Sequence, residues 1–292
     1  MDTSSNHSTL QIEITKVRDG VPDTVKDVVA KEEPLEIRLC FGSNARRQEK
    51  SLSVTMRTPG DDLDLTTGFL FTEGIITSCN DILSINQYNA DKSEGLKIEL
   101  STDVTLENTY QLERNFFANS SCGVCGKTST EAIIKTRKLA VSASELMVKS
   151  EILCTLGRTL RNHQELFDIT GGIHGCGIFD TEGTLVLFRE DVGRHNALDK
   201  LIGAALGRDM LPLSNYVLLL SGRASFELIQ KAWMAGIQVI AAVGAPSSLA
   251  VRMAQEKGIT LIGFLKEKSF NIYSGENRVA IHPSYIDQET IA

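Results

Sequence analysis

The sequence predicts an α/β protein made of a smaller β-rich N-terminal α+β domain and a larger C-terminal α/β domain. The first third of the chain repeats short segments in which apolar and polar residues alternate, the period of a half-buried strand. The last third holds three continuous apolar runs, Tyr216 to Leu220, Val239 to Val243 and Thr260 to Phe264, separated by residues at helical spacing. Unbroken apolar strands joined by helices are the pattern of a parallel sheet covered on its faces.

Taken in order, residues 1–9 are polar and without period, and read as a disordered tail. The N-terminal domain spans residues 10–114, with strands at Leu10 to Val17, Leu35 to Phe41, Ser51 to Met56 and Leu96 to Leu100. One helix interrupts them: Thr58-Pro59 offers a start, Leu63, Phe69 and Leu70 an apolar face, and Gly74 a stop. The boundary falls near Asn115, so that residues 115–292 form the second domain. There, Ile152, Leu153, Leu156, Leu160 and Phe167 place one helix over Lys149 to Phe167. A hairpin-like pair, Gly177 to Phe179 and Thr184 to Phe188, turns across Asp180-Thr181-Glu182-Gly183, and a helix with Leu198, Leu201, Ile202 and Leu206 follows. The apolar runs then alternate with helices marked by Phe226, Ile229 and Trp233, and by Leu249 to Lys257, as β-α-β-α-β with right-handed crossovers.

At 292 residues and 42% hydrophobic composition, the chain can bury one large core or two ordinary ones. A net charge of −7 argues against broad binding to nucleic acid or anionic membrane, and any phosphate site must be local. The apolar runs are too short to span a bilayer and the N-terminus lacks a signal-peptide core, so the expected location is the cytoplasm. Six cysteines at irregular spacing do not form a disulfide framework and point to a reducing compartment. Cys40 and Cys154 read as small buried hydrophobes and Cys79 as a loop thiol, leaving Cys122, Cys125 and Cys176.

Cys122 and Cys125 lie in the turn Ser120-Ser121-Cys122-Gly123-Val124-Cys125-Gly126-Lys127, and Thr128 to Glu131 has the spacing of a capping box that starts a helix at about Ser129. The helix dipole and Lys127 both favour thiolate, the form that acts as nucleophile or metal ligand. Three chemistries are open: a redox dithiol, a carrier of persulfide sulfur, or half of a zinc site completed by His174 and Cys176. His174, after Thr170-Gly171-Gly172-Ile173, is a candidate for proton transfer or simply a hydrogen-bonded turn residue. His195, within Glu190-Asp191-Val192-Gly193-Arg194-His195-Asn196, is a second candidate, against a helix cap with a salt bridge.

In parallel α/β sheets, ligands bind beyond the carboxyl ends of the strands, where helix N-termini offer N–H groups to anions. Ser221-Gly222-Arg223, Gly244-Ala245-Pro246-Ser247-Ser248 and Phe264-Leu265-Lys266-Glu267-Lys268 should meet there and cradle a nucleotide diphosphate with Arg223, Lys266 and Lys268, although the lysines taken alone read as solvated surface. No G-x-G-x-x-G follows a strand, which argues against a standard dinucleotide fold.

The chain resembles the FdhD family, sulfur carriers and sulfurtransferases required for formate dehydrogenase activity. The resemblance rests on Ser121 to Lys127, Thr170 to His174, Glu190 to Ala197, Ser221-Gly222-Arg223 with Phe226-Glu227, and Thr260 to Tyr273. Glu33-Pro34-Leu35, Thr58-Pro59 and Gly68-Phe69-Leu70 with Glu73-Gly74 extend it over about Asp27 to Tyr273. It implies a cytidine-deaminase-like α/β fold for the C-terminal domain and a sulfurtransferase with a cysteine persulfide intermediate. A cysteine desulfurase would supply the sulfur, and the acceptor would be the molybdenum bis(molybdopterin guanine dinucleotide) cofactor, bound as substrate before insertion into formate dehydrogenase. No permanent cofactor is implied. By motif position Cys122 resembles the persulfide cysteine and Cys125 its partner, while Phe264, Leu265, Lys266, Glu267, Lys268 and Ser269 resemble part of the cofactor-binding loop, with Arg223 beside it. A symmetric homodimer is the base-rate expectation for assembly.

Two departures from that pattern matter. Zinc deaminases use H-x-E followed by P-C-x-x-C; here Ser121 replaces the proline and no H-x-E precedes it, which argues against a deaminase. Cys176 stands where relatives carry a small residue, which keeps a second reading alive. In that reading the chain is a zinc-stabilised nucleotide-binding scaffold, ligated by Cys122, Cys125, His174 and Cys176, that aids cofactor insertion without transferring sulfur. The tail after Arg278 extends past the family core and receives no role.

Overall fold

The computed structural model of the chain describes residues 5–90, 93–104, 139 and 146–281. The turn with Cys122 and Cys125, the helix start at Ser129 and the boundary near Asn115 lie outside the described residues.

Strands β1 (Thr9–Arg18) and β2 (Val21–Ala30) form a hairpin. Its two-residue turn, Asp19-Gly20, takes positive φ at both positions, 50° and 80°, as a turn that follows the strand twist requires. The polar tail gives way to structure sooner than expected: Thr9 already pairs with Ala30, and the Ser8 hydroxyl donates to the Pro59 carbonyl at 2.8 Å. Strands β3 (Glu33–Phe41), β4 (Gln48–Arg57), β5 (Ile82–Ala90) and β6 (Ser93–Leu100) form a four-stranded sheet in the order β4-β3-β6-β5, with β3 and β6 parallel. Helix α1 (Asp62–Thr72) lies between β4 and β5 in sequence. Leu63, expected on its apolar face, is 56% exposed, and burial runs through Leu65, Gly68, Leu70 and Phe71 instead.

In the second half, β7 (Val148–Lys149) leads to α2 (Ser150–Arg161), α3 (Glu165–Thr170), β8 (His174–Phe179), β9 (Leu185–Asp191) and α4 (Arg194–Leu206). Then come β10 (Val217–Leu220), α5 (Phe226–Met234), β11 (Val239–Ala242), α6 (Ser248–Lys257), β12 (Thr260–Gly263), β13 (Asn271–Ser274) and β14 (Val279–Ala280). The expected single helix over Lys149 to Phe167 is two, broken at residues 162–164. The apolar stripe ends at Leu160, and Arg161 to Glu165 carry no apolar side chain whose burial would extend the helix.

The main sheet has the order β13-β12-β11-β10-β8-β9; β10, β11 and β12 are parallel, and β13, β8 and β9 run antiparallel to their neighbours. Leu218, Leu220, Ile240, Ala242 and Leu261 enter one core and Val217, Leu219, Val239, Ala241 and Ile262 the other. Alternate residues point to opposite faces of a strand, so burial of both faces makes the apolar run continuous. Leu153, Leu156 and Leu160 of α2 cover the second face, while α4, α5 and α6 cover the first with Leu198, Leu201, Ile229 and Met253.

That first core also takes in Leu35, Ile37, Leu39, Leu96 and Ile98 of the N-terminal sheet, so the two expected domains share one apolar interior. Helix α4 is buried at every position from Ala197 to Leu206, as a helix enclosed between layers must be. Its main partner is α1, whose Gly68 meets Gly203 of α4 at the crossing. Cys40 and Cys154 are only partly buried, and Cys79 is exposed. Among the described residues no helix is long and apolar enough to cross a membrane.

Candidate functional site

Parallel pairing in register brings β10, β11 and β12 to an end together: Leu220 lies beside Ala242, and Ala241 beside Ile262. The loops that follow are tied to one another through the main chain. Gly244 N–H donates to Gly222 O at 2.9 Å, Phe264 N–H to Gly244 O at 3.1 Å, Leu265 N–H to Ala242 O at 3.1 Å and Ala224 N–H to Ala245 O at 3.2 Å. Gly244 permits this approach, because a Cβ there would lie 3.0 Å from Arg223 N and 2.9 Å from Arg223 Cγ. The structure thus brings Arg223, Phe264 and Leu265 together.

Strand β8 runs antiparallel to β10 and begins at the same end. Ser221 fastens it there: its N–H donates to Gly175 O at 3.0 Å and its hydroxyl accepts from Gly175 N at 2.9 Å. His174 then sits beside Gly222, with Nδ1 3.4 Å from where a Cβ of that glycine would stand. Among the described residues, Gly193 ahead of α4 and Ser225 ahead of α5 make no side-chain cap, although the Glu227 carboxylate accepts from its own N–H in the first turn of α5, whereas Ser247 accepts from Ala250 N–H and caps α6. Uncapped helix N-termini leave N–H groups available to an anion.

The charged side chains complete the arrangement. Arg194 Nε is buried without a hydrogen-bond partner among the described residues, and Arg223 is exposed at the rim. Burial first, then the neighbouring Arg194, His195 and Arg223, push the His174 imidazole below its ordinary value and favour its neutral form. His195 Nε2 lies 3.4 Å from Ser225 Oγ and 3.9 Å from Glu227 Oε2, and His195 holds the Glu227 carboxyl down at about 2. Phe264, with φ of 54°, is 44% exposed, and Val243 beside it is 43% exposed, so the site has an apolar ledge. Lys266, Glu267, Lys268 and Ser269 form an exposed turn closed by Lys266 N–H to Ser269 O at 2.9 Å, while Leu265 is buried and offers only its backbone.

Cys176 is not part of this cluster. It is buried among core side chains, and desolvation pushes its thiol far above the ordinary range. Arg194, Ser225, Glu227 and Val243 were not singled out from the sequence; Arg194 and Glu227 were visible only as members of longer motifs. Asp191 supports the site from below by accepting from Lys200 Nζ at 2.8 Å, Gly193 N at 2.8 Å, Thr58 N at 3.1 Å and Asn196 Nδ2 at 3.2 Å.

The adjacent Glu190 lines a cavity of 170 Å³ with Thr58, Pro59, Phe188 and Lys200, and burial pushes its carboxyl up to about 7. A raised carboxyl pKa stabilises the fold below the unfolded value of about 4.3, and that contribution is lost as pH rises through the folded value. Glu190→Gln should therefore leave the melting temperature nearly unchanged near pH 4 and raise it by a few degrees near pH 8, as scanning calorimetry at both pH values would show.

Together these features define a layered α/β protein, its main sheet covered by helices on both faces, in which Arg194, Arg223 and His174 gather at the carboxyl end of a parallel strand trio. The FdhD/NarQ family model matches residues 30–280. Proteins named sulfur carrier protein FdhD from Streptomyces coelicolor and Streptomyces avermitilis are 47% and 46% identical to this chain over 283 and 280 residues, 92% of this chain and 94% of each relative. One from Saccharolobus solfataricus is 39% identical over 269 residues, 92% of this chain and 97% of its own. A crystal structure of a candidate formate dehydrogenase accessory protein from Desulfotalea psychrophila has the same fold, with a TM-score of 0.68 at 23% identity over 94% of this chain and 100% of that one. The chain belongs to the FdhD/NarQ family.

Proposed function

We propose that this protein is a sulfur carrier in which Cys122 accepts sulfur as a persulfide from a cysteine desulfurase. The strand-end site holds the guanine nucleotide ends of the molybdenum bis(molybdopterin guanine dinucleotide) cofactor, the substrate that receives the sulfur before it enters formate dehydrogenase. The observation that carries this reading is the convergence of Arg194, Arg223, His174 and two uncapped helix N-termini beside the Val243 and Phe264 ledge. Cations and free N–H groups suit a diphosphate, and an apolar edge suits a base. Relatives at 39% and 47% identity over most of the chain bear the name sulfur carrier protein, and Cys122 and Cys125 supply the thiols. The cytidine-deaminase-like reading of the C-terminal half and a cytoplasmic location belong to the same proposal; the mixed sheet with helices on both faces supports the first, and the need for a free thiolate supports the second.

Loading is a thiol exchange. The Cys122 thiolate attacks the outer sulfur of the desulfurase persulfide, an S–S bond forms at Cys122 Sγ, and the desulfurase cysteine leaves as thiolate. For release, the Cys125 thiolate attacks Cys122 Sγ, closes a disulfide and expels the outer sulfur as hydrosulfide, so the electrons come from the chain itself. His174, held neutral, is the group able to accept a proton at this end of the sheet.

Isothermal titration with GDP tests the nucleotide site. The wild-type protein should bind it, and Arg223→Ala should weaken binding about tenfold, the worth of one charge-assisted hydrogen bond. A wild-type protein that leaves GDP unbound at millimolar concentration overturns this assignment.

A further inference from the structure

We propose that Glu227 is a positioning residue for this site: its carboxylate, with the Ser225 hydroxyl, holds the His195 ring by Nε2 so that the ring serves an incoming anion. The inference rests on the nucleotide reading above and adds to it a residue whose own charge is the wrong one for the ligand. Among Arg194, Arg223, His174 and His195, an acid is the side chain an anion site should exclude. Glu227 stands at the second position of α5, where its carboxylate also accepts from its own backbone N–H, and its ion pair among the described residues is with His195 at 3.9 Å. Ser225 Oγ approaches the same ring nitrogen at 3.4 Å. The other acid nearby, Asp191, is already taken up by Lys200, Gly193, Thr58 and Asn196.

A carboxylate beside one ring nitrogen places a proton on that nitrogen and fixes the plane of the ring. The other nitrogen, Nδ1, is then left for the ligand in a ring whose position is fixed. His195 occupies the second position of α4, so the same contact ties the N-termini of α4 and α5 together. The low carboxyl value of Glu227, about 2, means that it remains ionised throughout the physiological range.

The sign of a substitution effect tests this. Removal of a negative charge from an anion site should by itself strengthen anion binding, whereas loss of the positioning contact weakens it. GDP titrations should show Glu227→Gln binding about tenfold more weakly than wild type, with Glu227→Asp in between. In a His195→Asn background, Glu227→Gln should leave GDP affinity unchanged or raise it, because there is no ring left to hold. Stronger GDP binding by Glu227→Gln with His195 present, or equal weakening in both backgrounds, overturns the assignment. Should wild-type protein bind no GDP, the nucleotide reading fails, and the Glu227 assignment is decided by the ring nitrogen resonances of His195: displacement in Glu227→Gln supports it, and unmoved resonances overturn it.

Discussion

Gly203→Val should abolish folding, leaving protein that is insoluble or lacks a cooperative thermal transition. A Cβ at Gly203 would fall on the Asp64 carbonyl oxygen and 2.8 Å from Gly68 N, and one at Gly68 would fall on the Asp199 carbonyl. The obstruction on both sides is main chain, which no change of rotamer relieves, so α1 and α4 would have to separate. Separation opens the interior that the N-terminal sheet shares with the main sheet, around Leu65, Leu70, Leu198 and Leu201. Burying each such side chain contributes about 1.5–3 kcal/mol, so losing these four, about 6–12 kcal/mol, is as large as the usual margin of about 5–15 kcal/mol. Gly207→Ala, at the end of the same helix, is the control: its nearest neighbour would be Gly203 O at 3.5 Å, and the variant should fold normally. Circular dichroism melts of the two variants separate close packing from a general intolerance of substitution in α4.

The second large effect is expected at Asp191 and Lys200. Both side chains are almost wholly buried, 2.8 Å apart, and they join β9 and α4 to Thr58 of the N-terminal part, whose carbonyl also accepts from Lys200 Nζ at 2.8 Å. Asp191→Ala would strand the ammonium group among carbonyls and free the N–H groups of Thr58 and Gly193. Breaking a buried pair from one side costs about 3–5 kcal/mol, which urea denaturation would read as a lowered midpoint. Lys200→Met should cost a similar amount, since it leaves the carboxylate uncompensated. The double variant Asp191→Asn with Lys200→Met should recover much of the loss, because no buried charge remains. GDP affinity should fall in Asp191→Ala as well, because Asp191 fixes Gly193 immediately ahead of Arg194 and His195.

Much of the fold was legible because the periods were clean. The β-α-β-α-β run from Tyr216 to Phe264 is correct in order and direction, since full burial of both sheet faces leaves an unmistakable apolar run. Strand β2 escaped notice because Pro22, Asp23 and Asp27 interrupt it and most of its side chains are exposed. Strand β5 carries Ser84, Asn86, Gln87 and Asn89, too polar a set to suggest a sheet edge. The shared core was hidden for a different reason: Gly68 and Gly203 look like helix weaknesses in one dimension and become the point of contact only in three. Nothing in the local spacing marks the charged Asp199 and Lys200 as interior, yet Asp199 pairs with Lys231 at 2.8 Å and Lys200 with Asp191 at 2.8 Å inside the protein.

The candidate site divides along the same line. Loops at the carboxyl ends of parallel strands are where ligands bind on topological grounds, and Arg223, Gly244 and Phe264 do lie side by side. His174 joins them through the antiparallel strand β8, a pairing that no local pattern announces. Arg194 Nε, without a hydrogen-bond partner among the described residues, and the acid Glu227 depend on how two helix starts meet, and spacing along the chain does not report that.

The most direct test of the account is mass spectrometry of the full chain after incubation with a cysteine desulfurase and cysteine. The peptide that contains Cys122 should gain the mass of one sulfur, removed by dithiothreitol and absent from Cys122→Ala. Loading that persists in Cys122→Ala would contradict it, as would wild-type protein that stays unloaded while holding near-stoichiometric zinc that Cys122→Ser loses.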